Sequence, residues 1–416
     1  MHRPLHLPSI SPVRLPLRVV TPGLFSCALL GLVHCNARAQ TEDPLTFRAS
    51  YAVQTDSNLF RLPANANTQA LIGKSSGAEQ IGLTTLGVGF KTRQSLQQLE
   101  FDVELVHNNY QNFDYLSYTA TNYNAAWRFS FTPRWVGNLT ASRAETLNSF
   151  TDFQGFQRNL RIDTNTALDT AYEIYGPWRL VAGLSNTRQA NDLAVTAGSD
   201  FNNTAANLGL RRLFGSGSSA TYSAKLYNGS YLNRNLPSAG LLDNAYKQVD
   251  NDFRLHWQLR GGSGADANIT FASRSHPNYP QRDYSGVNSG ASFNWLLSDK
   301  TSLYTAYSRV LDAYATSNSN YSQTDRLSVG PVWQISAKTS LRLQSQWSQI
   351  DYLGTPTAVP ASTRRDQTRD TSLSLVWQPA TRLSLSASLQ TLSRSSNQAG
   401  LDYDSNLVYF SAQYAL

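Results

Sequence analysis

Cysteine is almost missing from this sequence, since Cys27 and Cys35 are the only two among 416 residues. Both lie in the first 39 residues, which resemble a cleavable leader, so we expect a mature chain without disulfides or thiolate metal sites. No later run of about 20 apolar residues exists, which excludes a transmembrane helix. Charged residues make up only 15%, yet the mean hydropathy is −0.37, because Ser, Thr, Asn and Gln carry the polarity. This composition is typical of a protein layer that contacts lipid on one face and water on the other.

The leader at residues 1–39 has the three parts of a secretory signal peptide. Arg3, Arg14 and Arg18 precede an apolar stretch from Val19 to Val33. Ala37-Arg38-Ala39 then supplies a small-residue cleavage site. We therefore predict cleavage near Ala39 and a mature, exported domain at 40–416. The mature chain keeps 31 basic against 28 acidic residues and has no basic block, so we expect no nucleic-acid partner.

Apolar and hydrophilic residues alternate in segment after segment from Leu45 to the end. In Leu99–Leu105 every second residue is apolar and the residues between are Glu, Asp and Glu. Leu160–Ile174, Phe253–Leu259 and Leu383–Leu389 follow the same period of two. Because successive side chains of a strand point to opposite faces, each segment predicts a strand with one apolar and one hydrophilic face.

Short turns separate these strands about every forty residues. They are predicted at Thr92–Gln94, Thr132–Arg134, Gly176-Pro177, Gly215–Ser218, Gly261–Gly264, Ser298–Lys300, Ala337-Lys338 and Pro379-Ala380. Longer polar loops lie between them, such as Pro63–Gly77, Asn233–Asn244 and Gly354–Arg365. With a first strand at Leu45–Gln54 and a last one at Asp402–Leu416, the pattern predicts an all-β, single antiparallel transmembrane barrel of about 18 strands, with short periplasmic turns and longer outer loops. Sixteen strands, or a β-propeller, stay open as alternatives.

Two further patterns favour a membrane barrel. Six tryptophans lie within about five residues of a short turn, where an aromatic girdle sits at a membrane interface. They are Trp135, Trp178, Trp257, Trp295, Trp333 and Trp377. The chain also ends on an alternating apolar stripe from Val408 to Leu416, as expected for the closing strand of an outer-membrane barrel, although such strands usually end on an aromatic residue.

Catalytic and cofactor motifs are missing. The mature chain holds only His107, His256 and His276, and none has a second ligand at metal spacing. No nucleophile elbow, phosphate loop or dinucleotide fingerprint is present. We therefore expect no enzyme, no cofactor and no metal. A hydrolytic barrel that uses His256 or His276 remains as a rival.

The hydrophilic strand faces supply the candidate functional residues, which we expect to face the lumen. They are Glu100, Asp102, Glu104, Arg128, Arg161, Asp163, Asp169, Arg179, Asp250, Asp252, Arg254, Arg326 and Arg342, with Lys225 as a further basic candidate. A structural role, in which charges of opposite sign bridge neighbouring strands, is sufficient to explain each of these residues by itself. As a set they predict a hydrated interior, because barrels of about 16–18 strands leave an aqueous channel.

Several short motifs resemble one family. Asp56-Ser57-Asn58-Leu59-Phe60-Arg61-Leu62 resembles the opening of the exopolysaccharide-associated outer-membrane barrels of the EpsL type, which accompany exosortase/PEP-CTERM systems. Ser149–Phe153, Gln157–Asn159 and Arg282–Gly286 match in the same order. The resemblance covers most of the mature chain and implies a role in polysaccharide export or assembly. It carries no catalytic residues.

The resemblance leads to a hypothesis of a passive polar conduit for an exopolysaccharide. Its partners would be the polysaccharide, outer-membrane lipid, and periplasmic and inner-membrane export components. Two alternatives stay open: a small-solute porin, for which Pro63–Gly77 is the candidate constriction loop, and a scaffold that transports nothing.

Overall fold

The computed structural model describes residues 44–151, 155–238, 240–259, 262–314, 319–354 and 363–416. The predicted signal peptide and its cleavage site lie outside these residues. The described chain forms one sheet of 18 strands, and β1 pairs with both β2 and β18, so that the sheet closes on itself. This confirms the predicted barrel and its strand number.

The strands follow one another around the barrel in chain order, and each pairs antiparallel with its neighbours. They are β1 (Leu45–Asp56), β2 (Glu79–Gln94), β3 (Gln97–Tyr110), β4 (Tyr118–Thr132), β5 (Trp135–Leu147), β6 (Leu160–Tyr175), β7 (Trp178–Asn191), β8 (Phe201–Leu213), β9 (Ser219–Tyr231), β10 (Ala245–Gln258), β11 (Gly264–Ser275), β12 (Tyr284–Ser298), β13 (Thr301–Ala313), β14 (Tyr321–Ser336), β15 (Thr339–Leu353), β16 (Arg365–Ala380), β17 (Leu383–Ser396) and β18 (Tyr403–Ala415). Closure satisfies the backbone groups of both edge strands, which lipid could not do.

Short turns and long loops alternate along the chain, so that all short turns lie at one end of the barrel and all long loops at the other. The long loops are L1 (57–78), L2 (111–117), L3 (148–159), L4 (192–200), L5 (232–244), L6 (276–283), L7 (314–320), L8 (354–364) and L9 (397–402). L1 contains the helix α1 (Thr68–Ile72), and three-residue or six-residue 3-10 helices lie in L2, L4 and L6. No helix among the described residues is long and apolar enough to cross a membrane.

Two of the predicted turns are misplaced by about two residues. The turn expected at Thr92–Gln94 lies at 95–96, where Ser95 adopts a left-handed backbone with φ +55°. Glycine usually marks such a position, so no local signal indicated a turn at Ser95. The turn expected at Pro379-Ala380 lies at 381–382, because the end of β16 continues past Pro379 through a register shift between Trp377 and Ala380.

The outward face of the barrel is apolar at the end of the short turns. Phe47, Leu86, Phe101 and Phe410 lie on this face, and between 48% and 58% of each is exposed. The six tryptophans near the turns are also exposed, from 37% for Trp178 upward. Only lipid can cover such an exposed apolar belt, so the outer surface of the barrel matches the hydrocarbon interior of a bilayer.

Candidate functional site: the lumen wall and the outer mouth

The inward face of the strands carries the hydrophilic side chains. In β3, for example, Glu100, Asp102 and Glu104 alternate with the exposed Phe101 and Leu105. The same alternation and the strand register place all thirteen residues singled out from the sequence on the inward face, in β3, β4, β6, β7, β10, β14 and β15. The structure therefore gives their positions, while an action on a solute stays a prediction.

A charge network joins β1, β2, β3 and β4 on the inward face. The Arg48 guanidinium of β1 crosses β2 and bonds Asp102 and Glu104, whose Oε1 atom lies 3.2 Å from Arg48 Nη2. Gly87 and Gly89 leave the necessary space, since a Cβ atom on Gly89 would lie 3.0 Å from Arg48 Nη1. Sequence reasoning missed Arg48, although the two inward glycines of β2 were a usable signal.

The remaining candidates form fewer pairs than their number suggests. Arg128 bonds Glu100 at 2.6 Å, Arg161 bonds Asp163 at 2.9 Å, and Arg179 bonds Glu173 at 2.8 Å. Arg254 pairs with Asp252, which also accepts a hydrogen bond from the Thr270 hydroxyl. In the described chain no ion pair involves the following three candidates: Asp169, Asp250 and Arg342.

The charges are distributed unevenly around the lumen. We call the inward side chains of β2–β11 the charged wall, since most of the pairs above lie there. On β15–β18 the inward side chains from mid-height to the short-turn end are chiefly hydroxyls and amides, and we call them the hydroxyl-amide wall. Its members are Gln344, Ser372, Ser374, Ser384, Ser386, Ser388, Gln390, Tyr409, Ser411 and Gln413. The alternating serines of β17 were visible in the sequence, but their grouping with β15, β16 and β18 was not.

A buried ion pair anchors L1 at the outer end of the barrel. Arg61 bonds both carboxylate oxygens of Asp56, at 2.9 and 2.8 Å, and each side chain is about 1% exposed. Ser405 of β18 bonds the same carboxylate. The Asn58 side chain bonds the backbone of Leu62 in both directions. Loop and barrel are therefore tied together at the point where the sheet closes.

Aromatic side chains from three successive outer loops pack into one small core. Phe60 of L1 contacts Phe113 of L2 at 4.7 Å and Phe150 of L3 at 4.6 Å between ring centroids. All three rings are at most 2% exposed, and Leu59 and Leu116 complete the core. One buried core therefore joins L1, L2 and L3. In contrast, α1, which lies in the predicted constriction loop Pro63–Gly77, has no buried residue.

L3 reaches over the inner side of several strands. The Thr151 carbonyl accepts a hydrogen bond from Arg394 Nη1 at 3.1 Å, and Arg394 points inward from β17. L3 starts from β5, which is six strand spacings away along the wall, about 29 Å at roughly 4.8 Å per strand. The contact therefore needs L3 to cut across the outer mouth. This loop covers part of the entrance, while a constriction by the Pro63–Gly77 segment of L1 stays a prediction.

L5, L6 and L7 are fastened on the opposite side of the mouth. Arg282 is 2% exposed and donates to the carbonyls of Gly240 at 2.6 Å and Ser319 at 2.8 Å. Asp243 accepts hydrogen bonds from the backbone N–H groups of Asn278 and Tyr279. Burial by itself would raise the pKa of Asp243, but these bonds and those from the Asn278 side chain and the Ala245 N–H lower it overall.

His256 and His276 each lie beside one carboxylate. His256 Nδ1 lies 2.8 Å from Asp266 Oδ1 on the inward face, and both side chains are well exposed. The strand register places Ser219 beside His256, but no hydrogen bond joins these two described residues. In L6, burial lowers the pKa of His276 and Arg274 adds to this effect, whereas Asp283 opposes it. No group of three or more potential metal ligands occurs in the described segments.

The motifs behind the family resemblance lie where outer loops are fastened. Asp56–Leu62 forms the L1 anchor, Phe150 enters the aromatic core, and Arg282 fastens L5 and L7. Asp152 and Phe153 lie outside the described residues. These motifs therefore have a structural explanation that needs no particular solute.

Together, a closed antiparallel sheet, an apolar outer belt and a polar inner face define a transmembrane β-barrel of the outer-membrane type. A family model described as "Putative beta-barrel porin 2" matches residues 259–415, which hold β11–β18. No curated protein matches the chain in sequence.

Solved structures of the same fold include three proteins of Pseudomonas aeruginosa. OpdK with vanillate is 12% identical with a TM-score of 0.51, and the match covers 89% of this chain and 99% of that one. OccK3 (OpdO) is 14% identical with a TM-score of 0.51, covering 89% and 95%. OccK2 (OpdF) in complex with glucuronate is 12% identical with a TM-score of 0.50, covering 90% and 98%. At these identities the similarity establishes the fold.

Proposed function

We propose that this protein is an outer-membrane channel through which small polar solutes diffuse. The observation that carries the proposal is a closed barrel whose inward side chains are hydrophilic and remain open to water. The Lys91 and Arg254 side chains are each 56% exposed, and that of Arg128 is 45% exposed. Water that reaches these charges along the wall provides a path for a hydrated solute.

Small solutes are favoured over a polymer by the outer mouth. The aromatic core of L1–L3 and the Thr151–Arg394 bond leave a loop across part of the entrance. The OpdK and OccK2 structures contain vanillate and glucuronate, two small molecules, and their fold similarity supports the same reading. Exopolysaccharide export and its envelope partners, which the family resemblance implies, stay predictions, as does the absence of enzymatic activity.

Planar-bilayer recording tests the proposal. The purified mature chain is expected to give discrete conductance steps in KCl. A chain in which residues 150–158 of L3 are replaced by a short Gly-Ser linker is expected to give larger steps, because the loop no longer narrows the mouth. Replacement of residues 64–71 in L1, which hold most of the exposed α1, is the matched control and should change the step size little. A membrane that stays silent with folded protein inserted would overturn the proposal.

Passage of a polymer is tested separately in cells. If the barrel exports an exopolysaccharide, deletion of its gene would leave polymer in the periplasm while synthesis continues. Unchanged polymer in the medium, together with conductance in the bilayer, would leave the small-solute channel as the function. Polymer trapped behind the outer membrane would instead replace the small-solute proposal by the conduit.

A further inference from the structure

The two sides of the lumen offer different hydrogen-bonding groups. On the charged wall several side chains bond one another as charged pairs, as Arg128 does with Glu100 and Arg161 with Asp163. Hydroxyl and amide side chains of that wall, such as Asn124 and Ser142, stand among these charges. On the hydroxyl-amide wall, Ser386 bonds Ser411 and Gln390 bonds Asp370. The other members of that wall make no side-chain hydrogen bond with any described part of the protein; they are Gln344, Ser372, Ser374, Ser384, Ser388, Tyr409 and Gln413.

These free groups lie next to one another. Ser374 of β16 stands opposite Ser388 of β17 in the register, and Ser388 stands opposite Tyr409 of β18. In the adjacent row Gln344 of β15 stands opposite Ser372. Neighbouring strands are about 4.8 Å apart and inward residues of one strand about 6.7 Å apart, so a solute with several hydroxyls can contact several members at once.

We propose that the hydroxyl-amide wall binds neutral polyhydroxylated solutes, such as small oligosaccharides, as they pass; this inference rests on the proposed channel function. Serine, tyrosine and glutamine side chains each donate and accept hydrogen bonds, as the hydroxyl groups of a sugar do. A neutral wall makes these bonds without removing water from a charge, which would be costly. Because equivalent groups repeat along the wall, each contact is weak and is exchanged for the next, so the solute is attracted without being trapped.

The charged wall is the less suitable surface for such a solute. Several of its carboxylates and guanidinium groups are already paired, as in Arg128–Glu100 and Arg161–Asp163, and a sugar hydroxyl would have to compete with these ion pairs or remove water from a charge. The walls face each other across one lumen, so a neutral solute is expected to travel along β15–β18. Arg342 and Asp370 are the charged inward residues at mid-height on these four strands within the described chain.

Conductance in the presence of sugar tests this inference. Maltotriose and a polyethylene glycol of the same hydrodynamic radius are each added to KCl in a planar-bilayer recording of the mature chain. A solute that does not interact lowers the channel conductance in proportion to the bulk conductivity. Maltotriose is expected to lower the channel conductance by more than this proportion, because the sugar accumulates along the wall. Polyethylene glycol is expected to lower the conductance only in that proportion.

Two triple variants identify the wall responsible. In Ser374→Ala/Ser388→Ala/Gln344→Leu the apparent affinity for maltotriose should fall roughly threefold or more, as expected from the loss of several weak hydrogen bonds. The control Ser142→Ala/Ser185→Ala/Asn124→Leu makes the same changes on the charged wall and should keep the wild-type response. Equal responses to the two solutes in the wild-type channel, or an equal loss in both variants, would overturn the inference. A chain that forms no channel would overturn the proposed function instead.

Discussion

Arg61 and Asp56 form a bidentate ion pair with both side chains buried, although they belong to an outer loop and a strand end. A buried charge that loses its partner is destabilising by about 3–5 kcal/mol, whereas an exposed pair contributes little. The pair therefore determines whether L1 stays folded onto the barrel. Through Phe60, it also supports the aromatic core that holds L2 and L3.

Arg61→Ala should release L1 while leaving the barrel intact, because the pair fastens a loop rather than a strand pairing. We expect proteinase K to cut L1 of the inserted variant at least tenfold faster than in the wild type, and channel openings to become noisier. Lys74→Ala changes an exposed cation in the same loop and is the control. Equal cleavage rates in the two variants would show that the ion pair does not hold the loop.

Gly89→Val should change the ion selectivity of the channel. The new side chain would displace the Arg48 guanidinium, which lies 3.0 Å from the position of a Cβ atom on Gly89. Asp102 and Glu104 would then face the lumen without their cation, so the channel should favour K⁺ over Cl⁻ by roughly two- to threefold more than the wild type. The reversal potential in a KCl gradient measures this change.

The same substitution at Gly330 is the control for Gly89→Val, because the nearest contact of a Cβ atom there is the Leu343 carbonyl oxygen at 3.5 Å. We expect Gly330→Val to leave the reversal potential unchanged. Arg48→Gln should reproduce the shift of Gly89→Val without new bulk. If Arg48→Gln has no effect, the network does not determine selectivity.

Acid should loosen L5 and L6 through Asp243. The folded-state pKa of Asp243 is lowered, so the carboxylate stabilises the folded loops above its unfolded pKa of about 3.9. This contribution is lost as the pH falls below 3.9 and through the lower folded-state pKa. Hydrogen exchange at the Asn278 and Tyr279 amides should therefore show weaker protection, after correction for intrinsic rates, at pH 3 than at pH 6. Asp243→Asn should remove most of this pH dependence, and protection that stays constant in the wild type would contradict the assignment.

Phe410→Arg and Tyr409→Arg should separate the two faces of β18. Phe410 lies on the outer belt and is 58% exposed, so a charge there enters lipid and should destabilise the barrel by about 2–4 kcal/mol. Tyr409 faces the lumen, where water solvates the new guanidinium, and its variant should lose much less stability. Denaturant titration of folding into vesicles measures both. Equal losses would mean that the assignment of faces is wrong.

The alternation of side chains determined most of the barrel from the sequence alone. A period of two can place one face in lipid and the other in water only in a strand, so the two faces follow directly, and the spacing of the short turns indicated about 18 strands. Leu383–Leu389 illustrates this, since its serines belong to the hydroxyl-amide wall and Leu389 is 56% exposed on the outer belt. The positions of two short turns were predicted less accurately, because Ser95 gives no turn signal and Pro379 lies inside the end of β16.

The tertiary structure alone determined which distant residues meet. Closure of the sheet brings Ser405 to Asp56, and the path of L3 brings Thr151 to Arg394. The bond of Arg48 to Asp102 depends on the strand order and on two glycines between them. A period of two describes only one strand at a time, whereas these contacts depend on the register between strands and on how the loops pack. The physical reason is that alternation is a local property, and a shared lumen exists only once the barrel has closed.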